Sequence, residues 1–355
     1  MARESIINPD SEGMDEEQFN LSLRPQRLDQ CIGSSSLLER IRIALTAARQ
    51  RKEPMEHILL HGPPGLGKTT LAHVIANELE TNIRVTSGPA LARPGDLMGI
   101  LTNLERGDVL FIDEIHRLPV AVEEFLYPAM EDFKVDFTVD SGPHARTINI
   151  PIKPFTLIGA TTRAGLISAP MHSRFGIIDH LDYWSEQDLY LRVLRSAEML
   201  NLKYDESALR IIAQRARGTP RIANRLLRRI RDYAQVMSDG KLTINIVEKA
   251  LTLEGVDELG LDNLDRKFLQ TLIDVYNGGP AGIEAIAATL GESRDTLEDV
   301  VEPFLLRTGL LARTRQGRIA TERAYKHLNI KLSQKKAKKL AESSLFDSQN
   351  EENQS

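Results

Sequence analysis

The chain has 355 residues, of which 41% are hydrophobic and 27% are charged, with a formal net charge of −5. This length allows about two or three domains, and the acidic balance gives no overall sign of nucleic-acid binding, although a local patch can still be basic. The single cysteine, Cys31, excludes a disulfide framework and a cysteine-cluster zinc site. The first residues lack the apolar stretch of a signal peptide, and no run of about 18 apolar residues occurs, so we expect a cytoplasmic protein.

Residues 1–20 are polar and acidic, and we predict a flexible arm there. Residues 21–184 alternate short apolar runs with helical stretches, which is the pattern of a parallel sheet covered by helices. The predicted strands are the apolar runs at 58–60, 83–85, 109–112 and 156–160. Two alternating runs within residues 133–153 predict a β-hairpin that is inserted before the last core strand, at 156–160.

The second half of the chain predicts two further domains and a tail. Residues 185–257 show only the helical spacing of apolar residues and predict an all-α lid domain. Residues 258–332 predict short helices followed by two short strands around Gly317, which is the order of a winged helix. The polar stretch 333–355 is predicted to be a flexible tail. The expected fold is therefore an α/β P-loop core with a parallel sheet, an all-α lid and a C-terminal winged-helix domain.

The strongest motif is Gly62-Pro63-Pro64-Gly65-Leu66-Gly67-Lys68-Thr69, which fits the pattern G-x-x-x-x-G-K-[ST] between an apolar run and a helical stretch. Glycines such as Gly65 let backbone N–H groups close around phosphate oxygens, and the helix N-terminus adds positive potential. Lys68 can reach the β- and γ-phosphates, and the Thr69 hydroxyl can hold Mg²⁺. The motif therefore predicts binding of ATP with Mg²⁺, and its context disfavours the alternative of a glycine-rich turn with a capping threonine.

A second apolar run, Val109 to Ile112, ends in Asp113 and Glu114. Asp113 is predicted to bind Mg²⁺ through water, and Glu114 is predicted to polarise the attacking water. Alone, this run could be a buried strand ending in an acidic loop. It follows the phosphate loop by about 45 residues, however, and parallel strands can bring both loops to one sheet edge.

Four further residues are candidates for contact with the nucleotide. Thr162, or alternatively Thr161, ends the last predicted strand and is a candidate sensor. Arg174, in Ser173-Arg174-Phe175-Gly176, is a candidate arginine finger for the next subunit of a ring, with a surface salt bridge as the alternative. Arg221 begins a lid helix, where a cation is unfavourable for the helix dipole, so it is predicted to touch the nucleotide of its own subunit.

Together and in this order, these motifs resemble the RuvB family of AAA+ ATPases, the bacterial Holliday-junction branch-migration motors. The resemblance runs from about Leu23 to Leu328 and is carried by six segments, at 62–70, 110–118, 127–133, 154–165, 215–229 and 278–303. It implies an ATP-hydrolysing DNA translocase that drives branch migration of four-way junctions in homologous recombination and DNA repair. It also implies a homo-oligomeric ring, a hexamer, with RuvA as the loading partner and the RuvC resolvase in the same complex.

The resemblance also assigns residues around the nucleotide. Thr70 joins the phosphate loop, and Leu23, Arg24 and Trp184 frame the adenine and nearby groups. A further set is implied to lie near a nucleotide pocket and consists of Glu131, Asp132 and Phe133. The chain departs from the family's usual sequence at Ser34, at Pro170-Met171-His172, at Trp184 and at Arg315-Gln316 in the wing, none of which alters the phosphate chemistry.

Residues from Leu305 to Leu340 include eleven Lys or Arg and one acid, Glu322, an excess that favours a phosphate backbone. The lysines at 335–339 fit a solvated tail better. By the resemblance, Arg294, Arg313 and Arg318 occupy DNA-binding positions of the winged helix.

Ile148 and Ile150 share one face of the second hairpin strand. This face either folds back on its own domain or docks on RuvA.

Two other functions share parts of this pattern. An ATP-switched DNA-binding initiator or loader would combine the same core with a winged helix but would turn over little ATP. A protein unfoldase would normally carry an aromatic pore loop, and no convincing one is found. The hairpin and the wing favour the translocase.

Overall fold

The computed structural model describes residues 23–138 and 147–331. The chain divides into two compact units, one that ends at Arg228 and one that begins at Arg229. The predicted arm at 1–20 and tail at 333–355 lie outside the described residues. Within the described ranges, no helix is both long enough and apolar enough to cross a membrane.

The first unit is built on a five-stranded sheet with the order β2-β3-β6-β1-β7, in which all strands are parallel. The strands are β1 (Ile58–His61), β2 (Ile83–Ser87), β3 (Val109–Asp113), β6 (Thr156–Thr161) and β7 (Ile177–His180). The central strands β1, β3 and β6 are buried on both faces, which explains their continuous apolar sequence. Their carboxyl ends meet at one edge of the sheet, the position for a ligand in such folds.

Helices cover both faces of this sheet, and each face has its own core. Ile58 and Leu60 point into one cluster, while Leu59 points into the other, as the two-residue period of a strand requires. The first six helices are α1 (Ser35–Arg51), α2 (Lys68–Leu79), α3 (Pro94–Leu101), α4 (Val120–Glu131), α5 (Ala169–His172) and α6 (Glu186–Met199). They are followed by α7 (Glu206–Arg215) and by α8 (Pro220–Met237), which runs across the boundary between the two units.

The predicted hairpin is present as β4 (Lys134–Thr138) and β5 (Thr147–Pro151), and the turn between them lies outside the described residues. Val135 is fully buried and is paired with Ile150, which packs against the second core cluster. Ile148, two residues away on the same face, is 49% exposed. The base of the hairpin therefore folds onto its own domain, while Ile148 remains open to solvent.

The hairpin precedes β6, the last of the central strands, but the sequence patterns did not reveal every strand. A further strand, β7, follows β6. Only Ile177 and Ile178 of β7 are apolar, and the strand lies at the sheet edge, so its apolar run is too short to recognise. The region predicted to contain helices only also has two-residue strands, β8 (Lys203–Tyr204) and β9 (Lys241–Leu242).

The second unit contains the winged helix, so the predicted fold class is confirmed. Its helices α9 (Ile244–Leu253), α10 (Asn263–Asp274) and α11 (Ile283–Leu290) precede a broken helix made of α12 (Arg294–Thr296), a π-helical turn (Leu297–Val301) and α13 (Glu302–Arg307). The wing is the antiparallel pair β10 (Leu311–Thr314) and β11 (Gly317–Ala320), followed by α14 (Glu322–His327). Phe268, Leu272 and Leu305 are fully buried in its core.

Candidate nucleotide and DNA sites

The phosphate loop joins the carboxyl end of β1 to the first residue of α2. Gly62 has φ +134°, and a Cβ placed there would lie 2.3 Å from the Leu181 carbonyl oxygen, so no side chain fits. Gly65 has φ +76°, in the region that favours glycine. The lack of space at Gly62 and the positive φ at Gly65 explain why the sequence has glycine at both positions. The loop leads into the first turn of α2, which carries Thr69 and Thr70.

Lys68 is buried, and its ammonium group donates hydrogen bonds to the carbonyl oxygens of Gly62 at 2.8 Å and Pro63 at 2.9 Å. Burial lowers its pKa from 10.5 to about 8, partly offset by Asp113 and reinforced by Arg221. Asp113 and Arg221 are close enough to Lys68 to shift its pKa. Three of the predicted site residues therefore lie together at the carboxyl ends of the strands.

The two acids at the end of β3 have different surroundings. Asp113 is the last residue of the strand, and its Oδ1 accepts the backbone N–H of Glu114 at 2.9 Å. Glu114 has φ +47°, a left-handed conformation that is uncommon outside glycine. Its carboxylate is 44% exposed and pairs with Arg117 at 3.0 Å. Backbone conformations of this strained kind cluster at active sites.

The structure separates the two candidate sensor threonines. The Thr161 hydroxyl is buried, lies 2.9 Å from Nδ1 of His116 and accepts the backbone N–H of Arg163 at 3.0 Å. Thr162 follows β6 between the ends of β1 and β3, and its side chain is exposed. The geometry therefore favours Thr162 as the side chain that faces a ligand. Sequence reasoning missed His116, whose only signal was its place three residues after Asp113.

The start of the lid lies directly on the phosphate loop. The backbone N–H of Arg221 donates to the Gly65 carbonyl oxygen at 3.3 Å. A Cβ at Gly65 would lie 2.8 Å from Cγ2 of Thr219 and 3.1 Å from Cβ of Arg221. The nearby Trp184 donates its backbone N–H to Gly218 at 2.9 Å. Arg221 is thus fixed beside the loop that its predicted role requires.

The residues predicted to frame the base lie on the N-terminal segment and beside it. Leu23 is fully buried, and Arg24 is close enough to His73 of α2 to lower its pKa, although burial is the larger cause. The Trp184 indole lies 3.5 Å from the place of a Cβ on Gly33, so it packs on this segment. The segment thus runs along the phosphate-loop helix.

Arg174 lies near the amino ends of the parallel strands, away from the phosphate loop. It precedes β7, whose first residue, Ile177, is level with Ile58, the first residue of β1. The N–H of Gly176 donates to the His57 carbonyl oxygen at 3.1 Å, immediately before β1. The phosphate loop leaves the opposite end of β1, which is about 10 Å away at roughly 3.3 Å per residue. Within one chain, Arg174 therefore lies near the amino ends of the parallel strands, and the phosphate loop lies at their carboxyl ends.

The Arg174 guanidinium is held by α4 and by the turn before β7. It stacks 4.1 Å from the centroid of the Tyr127 ring, pairs with Glu131 at 3.1 Å and donates to the Pro170 carbonyl oxygen at 2.6 Å. Its Nε is buried with no hydrogen-bond partner among the described residues. A buried donor without a partner costs about 1–3 kcal/mol, so the Arg174 side chain leaves one stabilising hydrogen bond unmade in this conformation.

Glu131, Asp132 and Phe133 lie on the same edge as Arg174. Asp132 pairs with Lys134 at 2.8 Å, and the Phe133 ring meets Phe155, which precedes β6, edge-on at 6.1 Å. These three residues are therefore separated from the phosphate loop of their own chain.

His57 is a buried histidine that the sequence did not single out. Its Nδ1 accepts the backbone N–H of Leu157 at 2.9 Å, which leaves Nε2 to donate to the Met130 carbonyl oxygen at 3.1 Å. Burial lowers its pKa. His57 is thus a neutral structural residue that ties α4 to the starts of β1 and β6.

The three arginines predicted to bind DNA all lie in the second unit, and all are in ion pairs. Arg294 is exposed and pairs with Glu284 and Glu298, each at 3.1 Å. The Arg313 side chain is 53% exposed and pairs with Glu302. Arg318 is only 13% exposed and bonds to Glu298 at 3.2 Å and to Glu302. Arg318 is thus anchored in the domain rather than presented as a free cation.

Three family models match consecutive parts of the chain. Residues 23–181 match the family model of the RuvB Holliday junction DNA helicase P-loop domain, residues 184–257 match the RuvB AAA lid domain, and residues 258–329 match the RuvB C-terminal winged-helix domain. The three matches follow one another from the phosphate loop to the wing, in the order predicted from the sequence.

Individual relatives agree with the family models. The chain is 59% identical over 309 residues to the Holliday junction branch migration complex subunit RuvB of Desulfosudis oleivorans, covering 87% of this chain and 90% of that one. It is 54% identical to the RuvB subunit of Kosmotoga olearia, over 92% of this chain and 95% of that one. The structure of the Thermotoga maritima RuvB Holliday junction branch migration motor superimposes with a TM-score of 0.80 at 51% identity, covering 88% of this chain and 100% of that one. The chain belongs to the RuvB family of AAA+ ATPases, as its motifs predicted.

Proposed function

We propose that this chain is the ATP-driven subunit of a ring that translocates duplex DNA and drives branch migration of Holliday junctions during recombination and repair in the cytoplasm. One observation carries the proposal: the phosphate loop lies at the carboxyl ends of the strands and Arg174 lies at their amino ends, in a chain that also has a winged helix. A chain of this design needs a neighbour to complete its site.

Within one subunit, each residue has a role that fits its position. Lys68 leaves its contacts with Gly62 and Pro63 and binds the β- and γ-phosphates of ATP. Glu114 turns from Arg117 and accepts a proton from the water that attacks the γ-phosphate. Thr162 hydrogen-bonds the γ-phosphate, and Arg221 contacts the nucleotide from the lid.

Mg²⁺ fits the same site. The Thr69 hydroxyl lies on the first turn of α2, and the Asp113 carboxylate lies at the end of β3. Both can therefore supply oxygen ligands to a metal ion beside the phosphate loop. Thr69 and Asp113 would hold the ion, Asp113 through water. When bound, the ion neutralises charge on the β- and γ-phosphate oxygens.

Arg174 is proposed to act on the nucleotide of the adjacent subunit, accompanied by Glu131, Asp132 and Phe133. If it is a full arginine finger, Arg174→Ala lowers hydrolysis by about three to five powers of ten without preventing nucleotide binding. Mixing the Arg174→Ala and Lys68→Ala proteins tests the shared site, because each supplies what the other lacks. Partial recovery of ATPase activity is expected in mixed rings, and no recovery at any ratio would place the whole site within one chain.

DNA contact is assigned to the winged helix. Arg294, Arg313 and Arg318 contribute phosphate contacts, which carry affinity but little sequence information. That property suits a motor that must move along any DNA. The ring is proposed to be a hexamer that works with RuvC in the same complex.

The hairpin is proposed to dock on RuvA through its outer end. Ile148 supports this because it is exposed, whereas Ile150 packs on its own domain and is assigned a supporting role. Ile148→Asp should therefore leave ATP hydrolysis on plain duplex unchanged and eliminate the stimulation of branch migration by RuvA. Loss of the basal ATPase activity in this variant would show that Ile148 belongs to the fold instead.

The direct test of the function is a synthetic four-way junction with one labelled strand. The protein, RuvA, ATP and Mg²⁺ should convert the junction to duplex products at a rate that follows steady-state ATP hydrolysis. Glu114→Gln is the matched control, because its amide preserves the size of the side chain. An intact ATPase rate without any junction conversion would exclude the branch-migration function.

A further inference from the structure

The three arginines that match DNA-binding positions are separated in sequence but belong to one continuous series of ion pairs. Carboxylates and guanidiniums alternate along this series, from the first turn of α11 to the wing. We call it the ion ladder, and its members in spatial order are Glu284, Arg294, Glu298, Arg318, Glu302 and Arg313. Every second member is thus an arginine that the proposed function assigns to DNA.

The wing end of the ladder resolves an electrostatic conflict. Arg313 and Arg318 are cross-strand partners on β10 and β11, and like charges placed directly opposite each other destabilise a hairpin. Glu302 lies against both and accepts from Nη2 of Arg313 and from Nε of Arg318. Its side chain is only 1% exposed, and a carboxylate so deeply buried needs cationic partners. Glu302 therefore lets two adjacent cations occupy one face of the wing.

The middle of the ladder joins the wing to the helices. Glu298 lies in the π-helical turn, a rare element that is often found at functional sites. It accepts from Nε of Arg294 at 3.1 Å and from Nη2 of Arg318 at 3.2 Å. The hydrogen bond from Arg294 holds the pKa of Glu298 below its usual value, so this carboxylate is ionised at neutral pH. Glu298 thus fixes a helix arginine and a wing arginine relative to each other.

We propose that Glu298 and Glu302 are positioning residues that hold Arg294, Arg313 and Arg318 in the arrangement that contacts the DNA backbone. This inference rests on the proposed DNA-binding role of the arginines. A guanidinium has five N–H donors, so one arginine can serve a carboxylate and a phosphate together. Side chains that are ordered before binding lose less conformational entropy when DNA arrives, and the ladder orders all three.

Positioning and simple charge repulsion predict opposite changes in DNA affinity when a carboxylate of the ladder is removed. Removing a carboxylate close to DNA should strengthen binding if the carboxylate only repels phosphates. It should weaken binding if the carboxylate positions the arginines. Glu298 is the better residue for this test, because loss of the fully buried Glu302 removes the carboxylate partner of Arg313 and one of the two partners of Arg318, and can prevent folding.

The experiment measures binding of a labelled duplex to the full chain over a series of salt concentrations. We expect Glu298→Gln to weaken binding about three- to tenfold, the cost of re-ordering Arg294 and Arg318 when each keeps only one of its two carboxylate partners. The log–log salt slope should fall by about 0.9 for each phosphate contact that is lost. Glu292→Gln is the matched control, since Glu292 is exposed, lies two residues from Arg294 and is outside the ladder. It should bind as tightly as the unchanged chain or slightly more tightly.

Equal or tighter duplex binding by Glu298→Gln, with an unchanged salt slope, would overturn the inference. Arg294→Gln separates this failure from failure of the proposed function. If Arg294→Gln also leaves affinity and slope unchanged, the arginine does not contact DNA; if it weakens binding while Glu298→Gln does not, only the positioning role is wrong. Thermal unfolding of Glu298→Gln is recorded in parallel, and weaker binding counts in favour only when the melting temperature is retained.

Discussion

The lowered pKa of Lys68 makes ATP binding depend on pH in a specific direction. Burial favours the neutral amine and brings the pKa to about 8 in the nucleotide-free chain. The phosphates of ATP favour the charged form and raise the pKa again. Nucleotide binding should therefore take up a proton wherever Lys68 is neutral in the free protein. Since this group is neutral above its free pKa and charged in the complex, affinity must fall as pH rises through about 8.

The size of the effect follows from that single value. Lys68 is neutral in about one-tenth of free molecules at pH 7, in about half at pH 8 and in about nine-tenths at pH 9. Proton uptake on binding should follow these fractions, and the dissociation constant should rise about tenfold between pH 7 and pH 9. The terminal phosphate of ATP is already ionised above neutral pH, so its own titration does not imitate the effect.

Isothermal titration calorimetry in buffers with different ionisation enthalpies measures the number of protons taken up. Lys68→Arg is the control, because a guanidinium does not titrate in this range, so any nucleotide binding that remains should be independent of the buffer. A dissociation constant that stays unchanged from pH 7 to pH 9, with no buffer dependence at pH 8.5, would refute the argument that burial of Lys68 depresses its pKa.

Three further predictions concern single residues. Glu114→Gln should bind ATP normally but stop hydrolysis, since an amide cannot accept the proton; normal turnover in a phosphate-release assay would remove Glu114 from its assigned role. Gly65→Ala should weaken nucleotide binding about tenfold or more, because its Cβ meets Thr219 at 2.8 Å and its backbone is left-handed. Adding Thr219→Ser removes the contacted methyl group and should restore part of the affinity, and no restoration would mean that backbone strain alone is responsible. His57 has a lowered folded pKa, so the unfolded chain binds more protons and stability should fall as pH drops below about 6.5. His57→Gln should lose less melting temperature between pH 7.5 and pH 5.5, and an equal loss in both proteins would assign the acid sensitivity to other groups.

Local sequence patterns were sufficient for the parts of the site that are local in the chain. The phosphate loop from Gly62 to Thr69 lies between one strand and one helix, so its residue order already determines its geometry. Asp113 and Glu114 were recognisable because the strand before them is buried on both faces and is therefore apolar throughout. The family resemblance then joined these separate patterns into one fold, which the structure confirms.

Features that depend on non-local pairing could not be predicted in the same way. The short edge strand β7 has little apolar sequence, so the position of Arg174 at the opposite edge from Lys68 became visible only with the register of β1 and β7. Periodicity placed Ile148 and Ile150 on one face, but only packing distinguishes the exposed residue from the covered one. The excess of basic residues near the wing was evident, whereas the carboxylates that pair with them come from other helices.

The separation of Arg174 from the phosphate loop has a consequence for genetics. If Arg174 acts as the proposed finger, a subunit with an altered Arg174 should fold, keep its own nucleotide site and remain able to assemble, yet deprive its neighbour of the finger. Such an allele should interfere with a normal copy expressed in the same cell, whereas an allele that prevents folding should be recessive. Whether an allele is dominant would then show whether its mutation affects the Arg174 end or the phosphate-loop end of the strands.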